Sequence, residues 1–431
     1  MVRARLIAAF ALTMFTSMAP YLRAFAADAT PTFYKDIAPI FEKNCQSCHR
    51  PGEIGPMPLL TYEGARPWAK AIKAAVVSRK MPPWFADPRF GHFLDDRHLN
   101  TVDISKIAAW VDAGAPEGDA KDQPPPVAWR EGWNIRPDEI FQMPEPYMVP
   151  KAGALNYVYV VIPTGFARDT WVTAAEIRPG ARSMVHHVTA VIRPPGSQWM
   201  QQAKPLVPYI PPQDARDGEP DAGDPQATPV NMNFELLAAY APGVQPQRFD
   251  IDHSAKLIPA HSDIVLQLHY TANGKTSVPD QTRIGLTLAS EAPQKRFMSA
   301  VANAWHWAIP PGDPNYEAKG SLTFGEPVEL VFIQPHMHLR GKDMTIRLVY
   351  PDGKSETLLS VPHYDFNWQI VYYLDKPLKL PQGARVEVTA HWDNSVNNPS
   401  NPDPTKTVKW GNQSWDEMLS VPMGVIIDDA P

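Results

Sequence analysis

His336 and His338 stand in the stretch Gln334 to Met344, which reads Q-P-H-M-H-L-R-G-K-D-M. Val328 to His338 is predicted as a strand, where residues two apart face the same side, so both imidazoles can turn toward one ion. Near the other end, Cys45-Gln46-Ser47-Cys48-His49 has the C-x-x-C-H spacing of c-type haem attachment, in which two thiols add across vinyl groups and the histidine ligates the iron. The second axial ligand is expected from Met81, in the Met81-Pro82-Pro83 turn, with Met57, His92 and His98 as rivals. His186 and His187 are adjacent, so they share one ion only at a strand end, a bulge or a strong twist. His269 lies on the face of its predicted strand that carries Val265 and Gln267; alone it reads as structural, but with His186 and His187 it would complete a three-imidazole site suited to copper. Met418, in Trp415-Asp416-Glu417-Met418, is core if taken alone. Beside His336 and His338 its thioether would favour Cu(I) over zinc. His261, His306, His363 and His391 receive no role.

These residues need elements to hold them. Arg3, Arg5, the apolar run Leu6 to Ala19 and the small-residue site Ala24-Phe25-Ala26 predict a secretory signal peptide over residues 1–26, and hence a periplasmic or secreted protein. No later stretch has the ~20 apolar residues of a membrane span, so no transmembrane segment is expected in the mature chain. Cys45 and Cys48 are the only cysteines, which excludes a disulfide framework. Helices are predicted over Asp36–His49, Trp68–Ser78 and Asp103–Ala113, the last stopped by Gly114 and Pro116, giving a cytochrome c-like haem domain over 28–118. Residues 119–150, with Pro124-Pro125-Pro126, read as a linker. Short alternating strands follow at Tyr157–Ile162, Thr170–Ile177, Val185–Ile192, Ile264–Tyr270 and Arg283–Leu288, then at Val328–His338, Met344–Tyr350, Gln369–Leu374, Ala384–His391 and Met418–Ile427. The expected fold is multidomain: a small all-α cytochrome c-like domain, then two tandem antiparallel β-sandwich, jelly-roll-like domains over 151–292 and 293–431. Pro205–Pro229 and Asn394–Thr405 read as loops.

Composition narrows the partners. There are 48 prolines against 24 glycines, which favours short strands and ordered loops over long helices. A net charge of -6, with no block of lysine or arginine, offers nothing to a phosphate backbone, so nucleic acid is excluded as a partner.

From about Tyr157 to the end the chain resembles the copper type II, ascorbate-dependent monooxygenases, the family of peptidylglycine α-hydroxylating monooxygenase and dopamine β-monooxygenase. The matching pieces, in order, are Met184-Val185-His186-His187, Leu266-Gln267-Leu268-His269-Tyr270, His336-Met337-His338-Leu339-Arg340-Gly341-Lys342 and Asp416-Glu417-Met418. The resemblance implies two β-sandwich domains, each binding one copper, that face each other across a solvent-filled cleft. It makes His186, His187 and His269 the electron-accepting site. It makes His336, His338 and Met418 the catalytic site, where O2 binds and a C–H bond is hydroxylated. The family does not include the haem region, and its animal members are disulfide-rich where this chain is not. Such a reaction draws two electrons singly, so the fused haem would replace ascorbate as immediate reductant, fed by an external electron donor. The substrate class is a small-molecule or peptide-like organic compound. The alternative is a haem and copper electron-transfer or copper-handling protein without oxygenase activity.

Overall fold

The computed structural model describes residues 30–94, 96–129, 132–153, 155–212 and 235–428. The expected signal peptide and most of Pro205–Pro229 lie outside the described residues. The chain is mostly β-sheet with a small helical region at its N-terminal end. Four helices, α1 (Ala38–Asn44), α2 (Tyr62–Ala65), α3 (Ala69–Val77) and α4 (Thr101–Asp112), surround Phe33, Ile37, Phe41, Ile72, Ile107 and Trp110. Sequence sets their ends: Pro39 sits in the first turn of α1, and the Asn100 side chain caps α4 by accepting the Asp103 N–H. The unit is closed where Trp110 Nε1 donates to Pro116 O at 2.9 Å and Phe33 N donates to the same carbonyl at 3.0 Å.

Seven strands form the first β region: β1 (Val158–Pro163), β2 (Thr170–Arg178), β3 (Val185–Arg193), β4 (Glu235–Tyr240), β5 (Ser254–Ile258), β6 (Asp263–Tyr270) and β7 (Arg283–Leu288). One antiparallel sheet runs β1-β6-β3-β4. Facing it, β7, β2 and β5 belong to a larger sheet. The second region holds β8 (Lys295–Ala304), β9 (Tyr316–Thr323), β10 (Val328–Ile333), β11 (Gly341–Val349), β12 (Ser355–Val361), β13 (Tyr372–Leu380), β14 (Arg385–Trp392) and β15 (Leu419–Ile427). There β8 pairs with β15, β15 with β10, and β10 with β13, while β9, β14, β11 and β12 follow one another on the other side. The apolar alternation of these strands fills one core per region.

Three expectations change. The two β regions share a sheet, because β8 pairs in parallel with β5 at Lys295↔Ser254 and Arg296↔Ala255. Phe297, Phe332 and Ile426 of the second region accordingly pack in the first region's core. The end of the expected linker is also strand: Glu139–Gln142 pairs with β7, and Tyr147–Val149 pairs with Val278–Asp280. Each has too few residues for an alternation to register, and it is ordered by the edge that it completes. Finally, part of the expected haem domain packs on the second β region. Trp84 meets Tyr372 at 4.9 Å between ring centroids, Phe93 bridges Leu374, and Leu94 N donates to Tyr373 O at 2.8 Å. No helix among the described residues is long and apolar enough to cross a membrane.

Candidate metal centre

Adjacent histidines share a site because their strand is bulged. The β3–β6 register shifts between Val185 and His187, so His186 is the extra residue and His187 stands opposite His269. The available ring nitrogens of His186, His187 and His269 lie within 4.8 Å of one another. Their surroundings are apolar: Tyr157 packs against His187 at 5.5 Å and against His269 at 4.8 Å between ring centroids. Burial lowers the basicity of all three, His186 to about 4, His269 to about 3 and His187 well below its ordinary value. They are therefore neutral at pH 7, and each ring keeps one lone-pair nitrogen on which a cation can compete with the weak contact between His186 Nδ1 and His187 Nδ1 at 3.1 Å. His186 Nε2 and His269 Nδ1 are buried without a hydrogen-bond partner among the described residues. An unsatisfied buried nitrogen costs about 1–3 kcal/mol, and two in one cluster fit a metal-binding role.

The second pair is held differently from expectation. The strand β10 stops at Ile333; beyond it Gln334 N still donates to Pro422 O at 2.8 Å, but Pro422 has no N–H to return the bond. His336 makes instead an isolated two-bond bridge to Ser420, His336 N to Ser420 O at 2.9 Å and Ser420 N to His336 O at 3.1 Å. The rings of His336 and His338 are 5.1 Å apart between centroids, so the pair still forms. Met418 precedes Ser420 by two residues as His338 follows His336 by two, which places Met418 level with His338 in the extended antiparallel register. His338 Nδ1 is a further buried nitrogen without a partner among the described residues. Burial holds His336 at about 4, opposed by its hydrogen bond to Gln369, and pushes His338 well below the usual range.

A buried carboxylate fixes the backbone around this pair. Glu417 accepts N–H bonds from His338 at 2.9 Å, from Arg340 at 2.6 Å and from the Trp392 indole at 2.8 Å. Arg340 in turn donates from Nε to Asn394 Oδ1 at 3.0 Å and from Nη1 to Trp415 O at 2.8 Å, pinning the Asn-rich loop. On the other flank Tyr364 Oη donates to Met337 O at 2.8 Å and accepts from Met337 N at 3.1 Å. Gly341 is needed beside it, because a Cβ there would lie 2.7 Å from Met337 Cβ and 2.9 Å from the Tyr364 ring.

The expected solvent-filled cleft between the clusters is closed. The segment between β12 and β13 runs through it as a strap. Phe366 stacks on His186 at 4.6 Å and reaches His338 at 5.9 Å between ring centroids. Gln369 accepts from His336 Nδ1 at 3.0 Å through Oε1 and donates to His187 Nδ1 at 3.4 Å through its amide nitrogen. One buried amide therefore touches both clusters. The physical reason is packing: Phe366 and Gln369 are buried and occupy the volume that water would take. Replacing Gln369 with Leu keeps the volume but removes both hydrogen bonds, and orienting partners of metal-ligating histidines are worth about 10–100-fold in affinity or activity. Copper titration of Gln369→Leu should show a loss in that range, and an unchanged titration would remove Gln369 from the site.

Residues 298–421 match the family model of the copper type II ascorbate-dependent monooxygenase C-terminal domain. The match contains His336, His338 and Met418. The three-histidine cluster lies outside it. A search of curated proteins finds no match. Among solved structures, allantoicase is similar at 11% identity and a TM-score of 0.16, covering 57% of this chain and 81% of its own. The infectious bursal disease virus VP2 subviral particle is similar at 10% identity and a TM-score of 0.17, covering 69% and 73%. Likenesses that low carry nothing about fold or function.

The C-x-x-C-H segment follows α1. Cys45 and Cys48 are free thiols, and burial pushes the Cys45 thiol up to about 12. His49 Nδ1 donates to Met57 O at 3.1 Å, which leaves Nε2 as its lone-pair nitrogen and fixes the ring. Met81 follows α3, its N–H donated to Ala75 O at 3.2 Å. Of the rivals, Met57 packs in the helical core, His98 pairs with Asp96 at 2.9 Å, and His92 is exposed. His391 is taken by Asp343 at 2.7 Å, while His261, His306 and His363 are exposed. Reading the sequence missed Gln369, Phe366, Tyr157 and Tyr364, and named Glu417 without a role. The only signal for the strap was its aromatic and amide content, His363-Tyr364-Asp365-Phe366-Asn367-Trp368-Gln369, between two strand patterns.

Proposed function

We propose that the chain is an exported, haem-linked copper monooxygenase that hydroxylates an organic substrate with O2. Two buried imidazole clusters with orphaned nitrogens, one of them inside the matched region 298–421, carry this reading. The donor sets fit copper: three imidazoles in one cluster, and in the other two imidazoles with the soft Met418 thioether aligned by register. The C-x-x-C-H segment fits haem c, with free thiols and a histidine whose Nε2 is left available by the Met57 carbonyl. Bound there, the copper ions and the haem would supply one-electron chemistry and O2 activation. The protein's own work is positional. Glu417, Tyr364 and the Ser420 bridge hold the His336–His338 backbone, and Gln369 sets the tautomer of His336 by accepting from Nδ1. The buried surroundings of both clusters exclude water from reactive oxygen species. Export through residues 1–26 would place the protein in the periplasm or outside the cell, with an external donor supplying electrons.

The filled space between the clusters favours a second reading, a haem and copper electron-transfer protein in which Phe366 and Gln369 stand where a substrate would lie. A single turnover separates the two. Fully reduced, copper-loaded protein is mixed with isotopically labelled O2 and a panel of small C–H substrates. One labelled oxygen atom per product molecule is the expected result. Reoxidation with all label recovered as water or peroxide would establish the second reading.

A further inference from the structure

The C-x-x-C-H loop is tied to the segment that leads into the histidine strand. Glu53, four residues past His49, pairs with Arg182 and lies 3.9 Å from Arg178, and Arg182 Nη1 also donates to Gly52 O at 3.0 Å. Arg178 ends β2, and Arg182 lies four residues before His186. These side chains are largely buried, at 12% exposure for Arg178, 16% for Arg182 and 19% for Glu53. Such pairs escape most of the solvent screening that makes exposed ones weak.

Beside this contact is a cavity of about 280 Å³ lined by Cys48, Arg50, Arg182, Tyr240 and Gln247 among others. Tyr240 is the last residue of β4, and it pairs with Val188 of β3. Val188 is fully buried and covalently follows His187, which stands opposite His269. Tyr240 therefore lines the Cys48 cavity and joins the histidine strand with its backbone.

We infer that Glu53 seats the C-x-x-C-H loop on the connection that leads into the strand bearing His186 and His187, and that Tyr240 is the contact through which an electron passes from a haem bonded at Cys48 to a copper held by His187. The inference rests on the function proposed above. The step moves one electron, oxidising ferrous haem to ferric and reducing copper(II) to copper(I), with no atom or proton transferred. Tyr240 acts as a positioning residue, and its phenol ring rather than its hydroxyl is what the contact requires.

The test uses the full chain, loaded with haem and copper(II), under anaerobic conditions. The haem is reduced by a light-triggered pulse, and its reoxidation is followed in the Soret band while copper is followed by electron paramagnetic resonance. The wild type should show first-order haem reoxidation, independent of protein concentration. Tyr240→Phe should retain that rate. Tyr240→Ala and Glu53→Gln should slow it by an order of magnitude or more, with the haem spectrum, the haem potential and the copper resonance unchanged. An unaltered rate in Tyr240→Ala would overturn the role of Tyr240, and an unaltered rate in Glu53→Gln would overturn the seating. A wild-type rate that rises with protein concentration would overturn both. Absence of the Soret band or of the copper signal in the wild type would instead sink the proposed function.

Discussion

If the proposed function holds, Met418→Leu should abolish substrate oxygenation, by at least about 100-fold, while leaving the fold, the C-x-x-C-H segment and the three-histidine cluster intact. Leucine and methionine have similar volume, and such swaps in packed interiors usually cost less than about 1.5 kcal/mol. What leucine lacks is the thioether. Two imidazoles alone hold Cu(I) less well, and loss even of a supporting group around a metal costs about 10–100-fold. Removing a ligand should do no less. Product formation at the wild-type rate would contradict the assignment of Met418, whereas haem reduction by an external donor should be the same in both proteins.

Glu417→Leu should be the most destabilising single change at the site. Its carboxylate takes three N–H bonds, from His338, Arg340 and Trp392. Leucine would strand all three buried donors. An unsatisfied buried donor costs about 1–3 kcal/mol, so together they would remove a large part of the roughly 5–15 kcal/mol that holds a domain together. Glu417→Gln keeps one carbonyl oxygen with two lone pairs and should lose only about 1 kcal/mol. Burial raises the Glu417 carboxyl to about 7, against the pull of its donors, so the neutral amide is a close substitute for one of its two forms. Denaturant midpoints of the two variants would check the order. A Glu417→Leu midpoint equal to that of the wild type would show that the carboxylate does not hold the His338 backbone.

The ligand types were legible in the chain, and the frame that holds them was only partly so. Adjacent His186 and His187 demanded a bulge or a strand end, and the shift between Val185 and His187 supplies the bulge. The paired face of His336 and His338 was read from strand alternation. The strand in fact stops two residues before Pro335, and the Ser420 bridge with the Glu417 carboxylate replaces the ladder. The end of α4 was marked because its stop signal, Gly114 and Pro116, is local, whereas the helix expected over Asp36–His49 ends at Asn44 and the Asn100 cap was not read. What stayed hidden depends on residues far apart in sequence. Gln369 reaches His187 across 182 residues, and Glu417 reaches His338 across 79. No spacing rule connects such positions. Trp84 was hidden for the same reason: its helix pattern ends at α3, while its burial is decided by Tyr372. The closed space between the clusters likewise depends on a segment whose sequence has the composition of an ordinary loop.

The copper-to-haem ratio decides whether the chain holds paired copper sites beside a haem. The protein would be loaded anaerobically with Cu(I), freed of loosely held metal, and assayed for copper against its haem absorbance, the single C-x-x-C-H segment serving as internal count. Two coppers per haem are expected, falling to one in His269→Ala. One copper per haem in the wild type would contradict paired sites, and none would remove copper from the protein's chemistry.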